Sequence, residues 1–268
     1  MPAFPNRVTL GRSALSVGPL GVSGGYGVGS QALLRAFDRG VNYFYHGSRR
    51  NAGMAAAIRE LVAAGRRDEV VIVLQSYSRL AGLMEMFFTR GLRQLGIDAA
   101  DVLLLGWYNT LPSQAVLERA LRLREKGMVR HLAISAHHRP AFVGYADDER
   151  FSILHIRYNA AHTGAETDVF THLPAEGRPG TVAYTATRWG TLLSARRMPP
   201  GEKPLRARDC YRFVLSNPAF NVCMTGPKDD SQMDEALAAL DGGPLTPEEN
   251  ARVRAIGRHV HEHSMLRR

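Results

Sequence analysis

The chain has 268 residues, of which 45% are hydrophobic, so it can bury a large core as one α/β barrel or as two ordinary domains. Its formal net charge of +9 suggests a polyanionic partner, but the arginines are scattered and do not alternate with aromatic residues, so we expect no nucleic-acid partner. No apolar stretch approaches membrane-spanning length, and no signal-like segment opens the chain. We therefore expect a cytoplasmic protein without membrane contact, in which Cys210 and Cys223 are reduced core residues.

Short apolar runs alternate with amphipathic segments along the whole chain. Segments 7–9 and 15–17 are predicted to form a small hairpin, and segment 19–25 gives a first short strand that ends in glycines. Further strands are predicted at 41–45, 70–74, 101–105, 130–135, 153–158, 181–184 and 221–224. Helices are predicted at 30–39, 53–64, 81–95, 113–126, 140–146, 165–172, 207–215 and 231–240, with a further helix at 247–263.

This count gives eight strands interleaved with eight helices, which predicts an α/β fold, a (β/α)8 TIM barrel. A doubly wound sheet would more often carry a G-x-G-x-x-G turn after its first strand, and the sequence has none. We expect residues 1–268 to form a single barrel domain with an N-terminal β-hairpin and a C-terminal extra helix.

The segment Gly-Val-Asn-Tyr-Phe-Tyr-His-Gly-Ser-Arg-Arg-Asn, residues 40–51, is the first place to search for a functional site. It is a buried strand that opens into a polar loop, and in α/β proteins the chemistry lies at the C-terminal ends of parallel strands. Tyr45, His46, Arg49 and Arg50 are therefore candidate site residues.

Several short motifs, in this order and spacing, resemble the aldo-keto reductases from the hairpin to about residue 257. They are Val-Gly-Pro-Leu-Gly at 17–21, Gly-Val-Asn-Tyr-Phe at 40–44, Gly-Met-Val-Arg at 127–130 leading to Ile-Ser at 134–135, Tyr-Asn at 158–159, Val-Ala-Tyr-Thr at 182–185, and Thr-Gly-Pro at 225–227 followed by Gln232 and Glu235. The resemblance implies a barrel that holds NADP(H) in an extended pose and acts on a small-molecule carbonyl or alcohol substrate. Oligomeric state does not follow from it.

The resemblance also implies cofactor-binding residues. Ser135 matches a serine that contacts the nicotinamide carboxamide, and His155 stands where the family usually has glutamine for the same group, with Asn159 nearby. Tyr184 matches an aromatic that stacks on the nicotinamide. The pyrophosphate contacts would come from Thr185 and Thr187, and the adenosine contacts from Gly226, Lys228, Gln232 and Glu235. Asp229 and Asp230 beside Lys228 leave NAD(H) open as the cofactor.

The catalytic groups of the family are replaced in this chain. The family uses a tyrosine acid, a lysine–aspartate pair that tunes it, and a histidine that orients the substrate oxygen. Here the aspartate position is Tyr45, the tyrosine falls among residues 48–51, the lysine is Gln75 and the histidine is Gly106. A phenol has a free pKa near 10 and needs a neighbouring cation to exchange a proton efficiently at neutral pH, which Gln75 cannot supply.

One replacement constellation has Tyr45 as the acid, assisted by Arg49 or Arg50, with His46 or His137 as a second titrating group and Gly106 leaving space for a larger substrate. Alternatively, Tyr45 only fills the barrel mouth. At most one of His137 and His138 is expected to face the pocket, and no carboxylate or thiolate cluster accompanies them, so we predict no metal site. The loop 188–205 is either a lid over the cofactor or a disordered connection.

Three hypotheses follow. The protein is an NADP(H)-dependent oxidoreductase with a non-standard active site, a catalytically silent nucleotide-binding sensor or regulatory protein, or a non-redox lyase or isomerase built on the same barrel. Fold similarity does not choose among them, because function depends on the site.

Overall fold

The chain begins with a small antiparallel hairpin that closes one end of the fold. The computed structural model describes residues 3–265, and in it strands β1 (Val8–Thr9) and β2 (Ser16–Val17) pair with Val8 opposite Val17. Leu10 and Val17 pack into the interior cluster of the barrel. This confirms the predicted hairpin and shows that it covers the N-terminal ends of the barrel strands.

Eight parallel strands of the described chain close into a barrel, as predicted. Each pairs with the next along the chain, and the last also pairs with the first. The barrel strands are β3 (Leu20–Ser23), β4 (Tyr43–Tyr45), β5 (Val71–Ser76), β6 (Ala100–Leu105), β7 (Val129–Ala136), β8 (Phe151–Arg157), β9 (Gly180–Tyr184) and β10 (Val222–Thr225).

Helices connect these strands and cover the outside of the barrel. None in the described residues is both long and apolar enough to cross a membrane. The helices are α1 (Ser30–Asp38), α2 (Ala52–Ala63), α3 (Ala81–Leu95), α4 (Gln114–Glu125), α5 (Ala141–Asp147), α6 (Ala165–Asp168), α7 (Ala207–Leu215), α8 (Asp230–Gly242) and α9 (Pro247–Met265).

Successive side chains of each strand point alternately into the barrel and out toward the helices. In β5, Val71 and Val73 belong to the interior cluster, whereas Ile72 and Leu74 pack in the layer between sheet and helices. The next residue, Gln75, therefore faces the barrel interior. The two cysteines lie in the outer layer, where both are buried and free.

Segment 165–172 does not form the single helix that its sequence predicted. Helix α6 stops at Asp168, and a 3-10 turn follows at Phe170–His172. Val169 between them has φ −128°, outside the helical region, so it ends the helix. The prediction of one continuous helix was wrong.

The predicted C-terminal helix is present as α9 and is held at its start and near its middle. Thr246 caps it, because the Glu249 N–H donates to Thr246 Oγ1 at 3.2 Å and the Thr246 N–H donates to Glu249 Oε2 at 2.8 Å. Further along, Gly257 lies so close to the loop after β8 that a Cβ there would be 2.0 Å from the Ala160 carbonyl oxygen. Helix α9 thus supports the loop next to the barrel mouth.

Candidate active site

The C-terminal ends of the strands form the barrel mouth, on the side opposite the hairpin. The strand register aligns Tyr45 with Val73, Ser135 with His155, and Arg157 with Tyr184. Because Tyr45 and Tyr184 pack against the interior cluster, both face inward at this end. The mouth therefore brings together side chains from strands that are far apart in the sequence.

Tyr45 points into the mouth and pairs with a second tyrosine that sequence reasoning missed. Its hydroxyl lies 2.9 Å from the hydroxyl of Tyr77, which is two residues past Gln75. Burial and the neighbouring Tyr77 raise the pKa of Tyr45 well above its usual value, with smaller contributions from Tyr26 and Tyr43. No cation is among these causes, and Arg49 and Arg50 are exposed. The geometry gives no support to arginine assistance of Tyr45.

Gly106 does not leave an open space for substrate, which corrects the expectation from the sequence. The ring of Tyr77 fills that position, since a Cβ at Gly106 would lie 2.2 Å from two of its carbons. Tyr77 also packs on Trp107 with ring centroids 4.7 Å apart, and Trp107 packs on His137 at 5.5 Å. These three rings form one wall of the mouth.

Gln75, which the sequence resemblance aligned with a lysine, presents a side-chain carbonyl that has no partner among the described residues. Its Oε1 is buried and accepts no hydrogen bond from any described residue. A buried acceptor left unpaired costs free energy, so such an atom in a mouth is a place for a ligand donor. The Gln75 side chain fits a ligand that carries an N–H or O–H group.

His46 is turned away from Tyr45. It is buried, and its Nε2 accepts a hydrogen bond of 3.1 Å from Asn51 Nδ2 at the start of α2. Burial, followed by the charge of Arg59 on the same helix, lowers the pKa of His46 to about 4. The structure therefore does not bring His46 and the Tyr45 hydroxyl together as a pair of titrating groups.

His155 lies inside the barrel and is bonded to Tyr43. Its Nε2 is 2.9 Å from the Tyr43 hydroxyl, and burial lowers the pKa of His155 to about 3. Burial also raises the pKa of Tyr43. Both groups are neutral at physiological pH, so His155 meets any ligand as an uncharged imidazole.

The His155→Gln variant is expected to resist acid better than the wild type. In the unfolded chain a histidine titrates near pH 6.5, whereas here its pKa is about 3. The unfolded state binds more protons between these values, so the free energy of unfolding falls as the pH is lowered through that window. From this one residue we expect a loss of about 2 kcal/mol between about pH 7 and pH 5, which His155→Gln removes.

Urea unfolding at the two pH values measures this difference. The exposed His172 provides a control, and His172→Gln should lose as much stability as the wild type. Equal acid sensitivity in His155→Gln and in the wild type would contradict the buried, neutral state of His155.

Ser135 and Tyr184 both lie at the mouth, and the hydroxyl of each already takes part in one hydrogen bond. Ser135 Oγ accepts a hydrogen bond of 3.0 Å from the Trp107 N–H and keeps its own proton to donate. The Tyr184 hydroxyl donates to the Ala136 carbonyl at 3.2 Å, which fixes the ring across the ends of β7 and β9. Burial raises the pKa of Tyr184 to about 12, while the charge of Arg157 opposes this.

Asn159 organises the loops beside the mouth. Its Nδ2 donates to the Thr185 carbonyl at 2.9 Å, and its Oδ1 accepts from the Ala161 N–H at 3.0 Å. Thr185 has φ +60° and bonds its own strand through Tyr184 O, and Thr187 Oγ1 accepts from the Gly190 N–H. These side chains, together with the Thr185 and Thr187 carbonyls that accept from Arg188 N–H and Leu192 N–H, shape the loop.

The loop 188–205 contains two 3-10 turns, Thr191–Leu193 and Ala195–Arg197, and packs on the core through the buried Leu192. Its first residue, Arg188, donates to the Val260 carbonyl of α9 at 2.9 Å.

In the predicted adenosine region, some residues are already engaged by neighbouring side chains and others are not. The ring of Tyr26 covers Gly226, where a Cβ would lie 2.6 Å from a ring carbon. Gln232 Oε1 accepts from the Lys228 N–H at 3.1 Å, and Glu235 forms an ion pair with Arg206 at 2.9 Å. In the described residues the Lys228 ammonium has no ion pair.

The two aspartates beside Lys228 are engaged elsewhere. Asp229 Oδ1 caps α8 by accepting from the Gln232 N–H at 2.9 Å, and Asp230 pairs with Arg35 at 3.1 Å. The charge of Asp230 is therefore partly offset by Arg35, whereas Asp229 keeps its negative charge beside Lys228.

Arg157 is the main mouth residue that sequence reasoning missed. It lies at the end of β8, two residues after His155, and the strand alternation turns both inward. That alternation was the available signal. His137 lies close by, and burial followed by the Arg157 charge lowers its pKa. Within residues 3–265 no group of three or more histidine, cysteine, aspartate or glutamate side chains is arranged to hold a metal ion.

Comparison with known proteins gives a fold and no close relative. No protein-family model matches the sequence, and no curated protein matches it. An aldo-keto reductase from Bacillus halodurans in its apo form superposes with a TM-score of 0.74 at 20% identity, covering 93% of this chain and 95% of that one.

Two structures of an aldo-keto reductase from Klebsiella pneumoniae are similar to the same extent. The complex with NADP and acetate has a TM-score of 0.72 at 20% identity over 94% of this chain and 95% of the other. The complex with NADPH has a TM-score of 0.73 at 20% identity, with 96% of each chain covered. The protein therefore has the fold of the aldo-keto reductases, a (β/α)8 barrel with an N-terminal hairpin and a C-terminal helix.

Proposed function

We propose that this protein binds NADP(H) across the barrel mouth and is an oxidoreductase that acts on a carbonyl or alcohol through a non-standard active site. The proposal is carried by one observation. The mouth combines Ser135 and Tyr184, at the positions expected for nicotinamide contacts, with the unpaired buried carbonyl of Gln75. The similarity to folds solved with NADP and NADPH supports the choice of cofactor.

The residues of the mouth fit the expected parts of the cofactor. Ser135 has a proton for the carboxamide, and the fixed ring of Tyr184 offers a flat face for the nicotinamide. Lys228 supplies positive charge for the 2′-phosphate, which favours NADP(H) over NAD(H). When bound, the cofactor supplies or accepts the hydride.

Tyr45 is our candidate for the proton donor, with Tyr77 as its link to solvent. Tyr45 donates its hydroxyl proton to the substrate oxygen, and Tyr77 replaces that proton across the 2.9 Å contact. Tyr77 is 41% exposed and recovers its proton from water. The raised pKa keeps the Tyr45 phenol protonated at neutral pH but also makes it a weaker acid, so its donation depends on Tyr77 returning a proton as Tyr45 gives one up.

A second candidate is a nucleotide-binding protein without turnover. The observation in its favour is the absence of a cation among the groups that set the pKa of Tyr45. An enzyme of this fold without a tuned acid would keep the cofactor site and lose carbonyl reduction.

Titration with NADPH and NADH tests the nucleotide site. Both tryptophans, Trp107 and Trp189, are exposed, and Trp107 forms part of the mouth wall, so quenching of their fluorescence together with calorimetry measures binding. Ser135→Ala and Tyr184→Leu should each weaken NADPH binding by roughly tenfold, the loss of about one hydrogen bond or ring contact. Ser152→Ala, buried near the opposite end of the barrel, should bind as the wild type does.

No binding of either nucleotide to the folded protein would refute both candidate functions. Equal affinities for NADPH and NADH would refute the assignment of Lys228 to the 2′-phosphate.

A further inference from the structure

The Arg157 side chain stands at the barrel mouth with no partner in the part of the chain that the structure describes. Arg157 follows His155 on β8 with the same inward alternation, and its backbone pairs with Tyr184 on the next strand. Its guanidinium forms no hydrogen bond, ion pair or ring contact with any described residue, although the residue is partly buried. Arginine side chains that leave solvent are normally paired, because desolvating the charge costs free energy.

The groups that the electrostatics place near Arg157 are neutral imidazoles or carry its own positive sign. His137 follows directly after the paired residues Ala136 and Ile156, so it lies beside Arg157 at the end of the neighbouring strand. Burial, followed by the charges of Arg157 and Arg188, lowers the pKa of His162 to about 4. Burial, followed by the charge of Arg157, also lowers the pKa of Arg188.

None of these neighbours brings a carboxylate. Arg139, on the loop between β7 and α5, is paired with Asp168 at 2.6 Å. A guanidinium that lies near a second arginine, with no acidic partner in residues 3–265, costs free energy in the protein alone, a feature typical of functional sites.

We propose that Arg157 is the binding residue for an anionic oxygen group, a carboxylate or a phosphate, with His137 donating a second hydrogen bond. This inference rests on the proposed function, and it defines the substrate as a carbonyl or alcohol that carries an anionic group. A guanidinium matches the two oxygens of a carboxylate or phosphate with parallel N–H donors. His137 belongs to the aromatic wall that contains Tyr77, which places the anion on the side of the mouth near Tyr45.

The same chemistry is present in the cofactor, whose phosphates are anionic oxygen groups too. Arg157 is on the strand before Tyr184, whereas the expected phosphate contacts come from Thr185, Thr187 and Lys228 on later elements. This placement favours the substrate as the source of the anion, and the test below separates the two sources.

The test compares the wild type with Arg157→Gln, Arg157→Lys and Arg122→Gln. Arg122 is exposed on α4 and its side chain has no partner among the described residues, so Arg122→Gln removes one positive charge away from the mouth. Oxalate and inorganic phosphate are the probes, titrated by calorimetry and by thermal unfolding, each with and without saturating NADP. NADPH affinity is measured for all four proteins.

We expect oxalate or phosphate to raise the melting temperature of the wild type, and Arg157→Gln to weaken that binding by roughly tenfold to a hundredfold. Arg157→Lys should bind with intermediate affinity, and Arg122→Gln should match the wild type. Without anions, Arg157→Gln should be at least as stable as the wild type, because no contact is lost; a purely structural arginine would give a less stable variant.

The outcomes assign the site. Unchanged NADPH affinity in Arg157→Gln, with anion binding that persists beside NADP, supports a substrate subsite. Anions that compete with NADPH, with both affinities lowered, support the anion site but assign it to a cofactor phosphate. Equal anion binding in wild type and Arg157→Gln, or an equal loss in Arg122→Gln, overturns the proposal. Arg157-dependent anion binding in a protein that binds no nucleotide refutes the proposed function and leaves the anion site standing.

Discussion

Tyr45→Phe is expected to lower turnover by at least about a hundredfold while leaving NADPH affinity unchanged. The substitution removes the hydroxyl that we propose as the proton donor to the substrate oxygen and keeps the buried ring. The rate of NADPH oxidation over a panel of aldehydes and ketones, including compounds with a carboxylate or phosphate, measures the effect. The panel includes anionic compounds because the Arg157 guanidinium places a positive charge at the mouth.

Tyr77→Phe is the matched control, since it also removes a single hydroxyl from the 2.9 Å pair. Its ring still fills the space at Gly106 and packs on Trp107, so the wall of the mouth is preserved. We expect a loss of roughly tenfold, because Tyr45 remains as donor while its link to solvent is weakened. If Tyr45→Phe turns over as fast as the wild type, Tyr45 is not the acid. A wild type that binds NADPH and reduces nothing in the panel would favour the silent nucleotide-binding protein.

Gly257→Ala is expected to lower the free energy of unfolding by about 3 kcal/mol. Glycine inside a helix normally costs about 1 kcal/mol relative to alanine, so helix propensity alone predicts the opposite sign. Here a Cβ would lie 2.0 Å from the Ala160 carbonyl oxygen and 2.3 Å from its carbon, both of which are backbone atoms that cannot turn aside. The helix α9 must then move away from the loop that carries Asn159.

Gly144→Ala provides the comparison, because Gly144 lies within α5 and a Cβ there meets nothing within 4 Å. It should stabilise the protein by about 0.5 to 1 kcal/mol. Urea unfolding of both variants measures the two changes. A Gly257→Ala variant as stable as Gly144→Ala would show that α9 does not press on the loop after β8.

The barrel frame determines which side chains enter the mouth. The strand ends direct Tyr45, Gln75, Ser135 and Tyr184 inward, because the alternation of a barrel strand fixes direction whatever residue is present. Arg157 adds a positive charge to this set of neutral side chains. On our proposals, recognition of an anionic substrate is the feature that this charge gives to the mouth.

The sequence by itself determined the barrel. Apolar runs of strand length alternate with amphipathic helical segments eight times. Each run is recognised from neighbouring residues alone, so the repeat can be counted without knowing any tertiary contact. The hairpin and the helix beginning at Pro247 were also predictable, from a turn with glycine and from a capping threonine. The helix expected at 165–172 was not, because the backbone of Val169 departs from helical geometry despite a helical pattern.

The content of the mouth was decided by the tertiary structure. Three features depend on contacts between residues distant in the chain or on side-chain direction. Tyr77 occupies the space at Gly106, the Asn159 side chain is hydrogen-bonded within the loops beside it, and His46 faces α2. Arg157 is the clearest case. Its sequence position identifies an arginine near the end of a strand, whereas the lack of a side-chain partner within residues 3–265 depends on everything packed around it.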